Sequence, residues 1–508
     1  MKKTFFPGIA ICFLWPLSGF AQTLPESPGQ VIISTIAFTG TAGIEKSEFE
    51  RILPVKNGDL YKPELADVCL DIIISYYHSR GYMNAQGRVE TTVSGSSAAI
   101  NVAMEEGERF RFGSTEFAGL EKLRSKIVSR ELDYAKDEPY NYSKIMSSLS
   151  RLHSLGWFEE LSVKTSTTPL RQVDVLLVAK EKTLKWVKGG VGYGSEEQER
   201  LSMVLTHNNF FSRGYKMETT GLWSRIWLEY KAEFLNRHFW ATKTEFSNSG
   251  SWRREFREGY EMEAVKGALG LGRKLTSEIQ GNLKYRLQRN LIYNVSPEIS
   301  KETPGRSRTR AVSMVLNMDT TDHPFYPAKG QRLEFLIERS GGLWGGDINF
   351  YKTHLSLTAY FRIFSWLSMA GAAKGGFVRE TAPSRDVPIF EKFFAGGANS
   401  IRGYAERSVG PADSKGSPMG GKVISVSNTE LRYPIYKKLR GAVFADGGQT
   451  AERTSGISLS KWKYGGGIGL RYATPVGPLR VDLGWKLNPD EQEEADPWRL
   501  HITLGEIF

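Results

Sequence analysis

Beyond its first twenty residues the chain has no run of eighteen consecutive apolar residues, and its mean hydropathy is -0.35. A membrane-spanning helix is therefore not expected after the N-terminal segment. Cysteine is scarce: of two, Cys12 lies inside that segment, so Cys69 alone remains and no intramolecular disulfide can form. Seven histidines fall without ligand spacing to cysteine or carboxylate, and no Ser/His/Asp or Cys/His set is spaced for nucleophilic chemistry. Neither catalytic residues nor a metal site is expected, and the chain does not read as an enzyme. Gly190-x-Gly192-x-Gly194 and Gly465-Gly466-Gly467-x-Gly469 do not open periodic helices, so no cofactor is expected at them either. Strand glycines that permit curvature or close approach account for both.

The first residues fix the compartment. Lys2 and Lys3 precede an apolar run from Phe5 to Phe20, and Gly19-Phe20-Ala21 offers a small-x-small cleavage site. This reads as a secretory signal peptide over residues 1–21, too short to span and carrying Pro7 and Pro16. Its removal takes two lysines and lowers the formal charge from +11 to +9. Export argues against nucleic acid as the partner of this positive charge.

What the chain does have is glycine, 52 residues, and aromatics, 12%. It also has alternation. Leu479, Val481, Leu483, Trp485 and Leu487 interleave with Arg480, Asp482, Gly484 and Lys486, and residues 498–508 repeat the pattern and end on Phe508. Strands of about ten residues, apolar on one face and polar or small on the other, fit a membrane-spanning β-barrel.

Two similar units precede the strands. The first, residues 31–105, has an opening strand to Phe38, a helix with Leu65, Val68, Cys69, Ile72, Ile73 and Tyr76 on one stripe, a stop at Gly81, and two strands. The second, residues 106–181, repeats this β-α-α-β-β order with Ile145, Leu149 and Leu152 on its helix and a stop at Gly156. Cys69 falls in the apolar stripe and reads as core, and His78 and His153 as structural or solvated.

From residue 184 to 508 only strands and turns remain. Sixteen strands can be laid out, an even number, as a closed bacterial barrel requires. Connections after even-numbered strands are mostly short, whereas 291–308, 380–421 and 489–497 are long and polar, which sorts turns to one rim and loops to the other. On parity, Glu430 and Asp446 face inward from adjacent strands, where two carboxylates need a cation between them. Arg402, in the longest loop, is the candidate, since a guanidinium forks two carboxylates and stays charged. Arg407 is expected to sit in the solvated part of the same loop.

Several short motifs follow one another in order: Glu105-Glu106-Gly107-Glu108-Arg109-Phe110; Asp319 with Pro324-x-x-Pro327-x-Lys329-Gly330; Gly396-Gly397; Ile401-Arg402-Gly403-Tyr404; Asn428-x-Glu430-x-Arg432; Phe444-x-Asp446-x-Gly448; and Gly469-x-Arg471-Tyr472 with Thr474-Pro475-x-Gly477-Pro478. In these the chain resembles, over nearly its whole mature length, the superfamily of outer-membrane assembly and translocation barrels, which includes the BamA and TamA insertases and the two-partner secretion transporters. The resemblance implies a sixteen-stranded outer-membrane barrel preceded by two periplasmic POTRA domains. It makes Arg402 the lumenal loop arginine, Glu430 and Asp446 its carboxylate partners, and Phe444 the aromatic packed against the loop. It further implies insertion of unfolded client proteins at a seam between the first strand, with Gly190 and Gly192, and the last, with Gly505 and Phe508. Glycine weakens strands, so that seam should pair poorly. Implied partners are outer-membrane lipid, outer-membrane or secreted clients, and an AsmA-like inner-membrane protein. The alternative is a channel for one dedicated passenger. The chain departs from the family in having two modules where BamA-like proteins commonly have five and TamA-like proteins three. Two suits secretion transporters, but residues 22–30 are too few for their plug helix and linker.

Overall fold

The computed structural model describes residues 31–323, 326–474, 477–491 and 493–504. The expected leader, Gly505, Phe508, Pro324 and Pro475 lie outside the described residues. The chain divides into two compact units: residues up to 118 with 131–151 and 161–179, and 119–130 with 152–160 and everything from 180 onward. No helix among the described residues is long and apolar enough to cross a membrane.

Two β-α-α-β-β runs come first. One comprises β1 (Ile32–Thr39), α1 (Lys46–Ile52), α2 (Pro63–Ser79), β2 (Gln86–Ser94) and β3 (Ser97–Glu105). The other comprises β4 (Arg111–Ala118), α3 (Ser125–Ser129), α4 (Tyr142–Ser154), β5 (Phe158–Thr167) and β6 (Gln172–Glu181). Each sheet runs in the order first, third, second strand, with first and third parallel. Pro63 opens α2, where its missing N–H costs nothing. The buried stripe of α2 is Ala66, Cys69, Ile73 and Tyr77, and Val68 is 43% exposed. The sequence placed that stripe slightly out of phase, because α2 is apolar over more than one face and the sheet beneath it chooses which is covered. Gly81 ends the helix at φ +100°, and a Cβ there would meet the Phe110 carbonyl oxygen at 2.5 Å. Glycine is thus required by backbone conformation and by the approach of the chain entering β4.

The remaining strands close a barrel. They are β7 (Lys185–Gly194), β8 (Gln198–Phe210), β9 (Tyr215–Ser224), β10 (Trp227–Asn236), β11 (Thr244–Arg257), β12 (Tyr260–Lys274), β13 (Ile279–Tyr293) and β14 (Arg306–Asp319). After these come β15 (Gly330–Ser340), β16 (Phe350–Arg362), β17 (Ser368–Glu380), β18 (Val423–Tyr436), β19 (Leu439–Ala451), β20 (Lys463–Thr474), β21 (Gly477–Lys486) and β22 (Trp498–Leu504). Helix α5 (Pro297–Glu302) interrupts the β13–β14 connection. Sequential neighbours pair antiparallel, and β22 returns to β7.

Burial is inverted relative to a water-soluble sandwich. Leu283 and Leu287 of β13, Ile468 and Leu470 of β20, and Trp498 and Leu500 of β22 are exposed. Arg286, Asn290, Arg480, Asp482 and His501, on the alternate positions, are buried. Apolar-out and polar-in is the pattern of a wall facing lipid. One rim carries short turns, such as 211–214, 275–278 and 437–438. The other rim is uneven: its first three connections, 195–197, 225–226 and 258–259, are short, and the long ones begin only after β13.

The closing junction differs from the others. β7 pairs with β8 from Lys185↔His207 to Gly194↔Gln198, whereas among the described residues β22 meets β7 only at Thr503↔Gly194. The Ser195 N–H donates to the Ile502 carbonyl at 3.0 Å beside that pair.

Candidate functional site: the inward loop and the seam

The β17–β18 connection, 381–422, folds into the barrel. Ala395, Ile401, Tyr404 and Val409 of this loop pack with Ile424 and Val426 of β18. Ile389 packs with Tyr260 and Met262 of β12, Ile292 of β13 and Ile299 of α5. These contacts bring one arginine to the wall.

Arg402 is 1% exposed. Its Nε and Nη2 donate to the two Asp446 oxygens at 2.7 and 2.8 Å, and its Nη1 donates to Glu430 Oε2 at 2.7 Å. Its backbone N–H also donates to Asp446, at 3.0 Å. The Phe444 ring lies under the guanidinium, 3.5 Å from its carbon to the ring centre. The cluster extends beyond the residues read from sequence. Asp482 Oδ2 stands 3.6 Å from Arg402, and Arg471 bridges Glu430 at 2.8 Å and Asp482 at 2.6 Å. Arg432 also holds Glu430, and Arg480 holds Asp482. Alternate positions on β18 to β21 thus supply three carboxylates and three arginines, and the loop supplies the fourth.

Glycines make the room. Gly403 has φ +96°, and a Cβ on it would reach the Trp485 backbone at 3.0 Å. A Cβ on Gly465 would fall 2.0 Å from the Arg402 carbonyl oxygen. The glycine triplet of β20 that superficially suggests a nucleotide loop is where the loop backbone presses on the wall. Tyr404 is fully buried, with its ring 5.6 Å from Lys486 Nζ, and Ile401 is equally buried.

A second ionic anchor holds the loop farther round the barrel, at two residues the sequence reading passed over. Glu391 accepts from Arg286 at 3.0 Å and lies 3.5 Å from Lys352. Burial pushes the Glu391 carboxyl up, and those two cations overcome it and hold it below its ordinary value. Lys392 reaches Glu302 at 2.7 Å and Glu452 at 2.9 Å with none of its side chain exposed. The only sequence signal was a Glu-Lys pair between Phe390 and Phe393. Arg407, expected in solvent, instead lies 3.7 Å over the Phe394 ring and donates to the Tyr260 hydroxyl at 3.1 Å. The loop folds inward there as well, so its polar residues are not a guide to exposure.

Gly190 and Gly192 lie on β7, paired with Ser202 and Arg200 of β8. Among the described residues no group of three or more His, Cys, Asp or Glu is placed to hold a metal ion.

The comparisons with known proteins agree with this geometry. The surface antigen variable number repeat, or POTRA, profile matches residues 31–107, and the Omp85 superfamily domain profile matches residues 209–508. Two curated relatives are outer membrane protein assembly factors BamA. That of Nitratidesulfovibrio vulgaris is 26% identical over 90% of this chain and 60% of its own length, and that of Neisseria meningitidis serogroup B is 21% identical over 92% and 66%. The chain therefore spans about three fifths to two thirds of these relatives. Among solved structures, BamA from Haemophilus ducreyi lacking POTRA domains 1–3 aligns with TM-score 0.68 at 18% identity, over 94% of this chain and 99% of that one. CdiB from Escherichia coli aligns with TM-score 0.58 at 16% identity, over 96% and 92%. Those two likenesses are of fold. With a closed sixteen-stranded barrel, an inward loop clamped by its arginine, and a family profile covering more than half of its residues, the chain belongs to the Omp85 superfamily.

Proposed function

We propose that this protein is an outer-membrane assembly factor that receives unfolded clients on two periplasmic POTRA domains and inserts or translocates them at the β7–β22 seam. The observation that carries the reading is the seam itself, one register pair among the described residues in a barrel whose other junctions each run to seven or more pairs. A client strand can pair with edges that are barely paired to each other. The second β-α-α-β-β run has the strand order of the first, which supports counting it as a second POTRA domain. In the first domain β2 lies at the sheet's edge, and its backbone is open to strand addition. Placement in the bacterial outer membrane, with the domains in the periplasm, is supported by the apolar-out wall and the assembly-factor relatives.

The test is a reversible lock. Cysteines replacing Gly194 and Thr503 stand directly opposite each other, within reach of a disulfide. Oxidation is expected to stop assembly of outer-membrane clients, and reduction to restore it. Unchanged assembly in the oxidised protein would remove the seam from the mechanism. A dedicated export channel, the alternative, is favoured by the fold likeness to CdiB. That reading predicts loss of one secreted passenger with general assembly intact.

A further inference from the structure

We infer that Glu196 and His501 form a latch across the seam, one residue on each side of it, and that both grip the inward loop, so that seating the loop and closing the seam are one event. The inference concerns how the seam opens, and its biological purpose rests on the reading given under Proposed function.

Glu196 stands two residues beyond Gly194, in the 195–197 connection, and its Oε1 accepts the Ala398 N–H at 2.6 Å. The fit at that point is close: a Cβ on Gly397, φ +94°, would fall 2.3 Å from the same oxygen. His501 stands two residues before Thr503 on β22, and its Nε2 accepts the Gly403 N–H at 3.2 Å. It is 1% exposed, and its Nδ1, without a hydrogen-bond partner among the described residues, stands 3.8 Å from Glu196 Oε1. The two sides of the seam, the connection leaving β7 and the strand β22, therefore each hold one loop N–H, and those N–H groups flank Arg402. The Ser195–Ile502 hydrogen bond lies between the two holds. Parting β7 from β22 must release the loop at Ala398 or at Gly403.

The latch is reachable by water. A cavity of about 590 Å³ opens beside it, lined in part by Ser195, Glu196, Arg257, Glu406, Arg407 and Arg499. Burial, and next the charge of Glu406, push the Glu196 carboxyl up to about 7, with Glu197 adding to the rise and the Ala398 N–H and Arg257 opposing it. His501 faces it from the other strand. A carboxyl held above its ordinary value favours the closed arrangement in its neutral form. That contribution is complete below the ordinary value and is lost as pH rises through about 7. The seam is therefore expected to loosen on the alkaline side.

The experiment uses full-length protein in lipid vesicles with Cys69 replaced by Ala. Disulfide yield of Gly194→Cys/Thr503→Cys is divided by that of a control pair inside the β7–β8 ladder, Gly190→Cys/Ser202→Cys, which cancels the pH dependence of thiol chemistry. A spin label at Ser408→Cys reports loop mobility in parallel. Between pH 6 and 8.5 the charged fraction of a group titrating near 7 rises about tenfold, and the ratio is expected to fall about threefold or more. Loop mobility should rise with the same midpoint. Glu196→Gln keeps an acceptor for Ala398 without the charge, and should hold both readouts at their acid values at every pH. Glu196→Ala should free both at every pH. Seam and loop responding separately, or a pH profile that survives in Glu196→Gln, would overturn the latch. No client is present in any arm, so failure here leaves the assembly reading to its own lock test, and the reverse.

Discussion

Four arginines face three carboxylates in the buried cluster, so removing Arg402 leaves the charges balanced and the damage falls on one partner. Glu430 retains Arg432 and Arg471, and Asp482 retains Arg471 and Arg480. Asp446, among the described residues, has no other cation in contact. Arg402→Ala is expected to destabilise the barrel by roughly 3–5 kcal/mol, the cost of stranding one member of a buried pair. Adding Asp446→Asn should recover ~1–3 kcal/mol, the range of coupling between residues in contact. Adding Glu430→Gln should recover little. The measurement is the temperature at which the folded band on a gel converts to the unfolded one, and equal rescue by both second changes would refute the assignment. Arg402→Lys should rescue in part, since an ammonium cannot fork two carboxylates. The inward direction of Glu430 and Asp446 was legible from alternation alone. Asp482 and Arg480 were legible only as a polar face, because one strand's alternation does not say which loop will be pressed against it. Glu391 and Lys392 were not legible, since a loop has no period to assign its charges inward or outward.

At the scale of elements, period-two segments were the easiest to place, because a strand has only two faces and lipid claims one. Helix α2 was harder. Its apolar positions cover more than one stripe, and the choice among them is made by β3 and α1, which lie elsewhere in sequence. Phe49 of α1 shows the coupling: it is fully buried, with ring centres 5.2 Å from Phe38 and 5.7 Å from Tyr77. Phe49→Ala is expected to cost ~3–5 kcal/mol, enough to unfold a small domain. Because the chain forms two compact units, that loss should stay in the first. Limited proteolysis should degrade the N-terminal residues and leave a barrel fragment whose gel shift is unchanged. Concerted loss of both would show that the barrel depends on the domain.

For the whole molecule, the sorting of turns and loops to opposite rims carried the barrel, and the count of sixteen followed. The unevenness of the long-loop rim was hidden, since it depends on where each strand stops. The closed wall makes a direct prediction: unheated protein should migrate faster than boiled protein on a detergent gel, because a laddered barrel resists detergent until heated. Equal mobility would contradict closure. A seam with a single register pair among the described residues should also make the unheated band less heat-resistant than that of the oxidised Gly194→Cys/Thr503→Cys protein.

The placement of the loop's anchors has a consequence for the order in which the chain assembles itself. Arg402 is 28 residues from Glu430 and 44 from Asp446, and Gly403 is 98 from His501, whereas the seam joins residues more than three hundred apart. Closing a loop grows costlier with the logarithm of its length, and going from the Arg402–Asp446 span to the seam span adds about 1.7 kcal/mol. Short-range contacts of this kind form early and long-range ones late. The arginine cluster can therefore organise the last five strands as a curved sheet while the first strands are still unplaced. On this order the seam is the final junction to form, and the loop, held until then at its arginine, takes its last hold, Glu196 on the Ala398 N–H, only when β7 arrives.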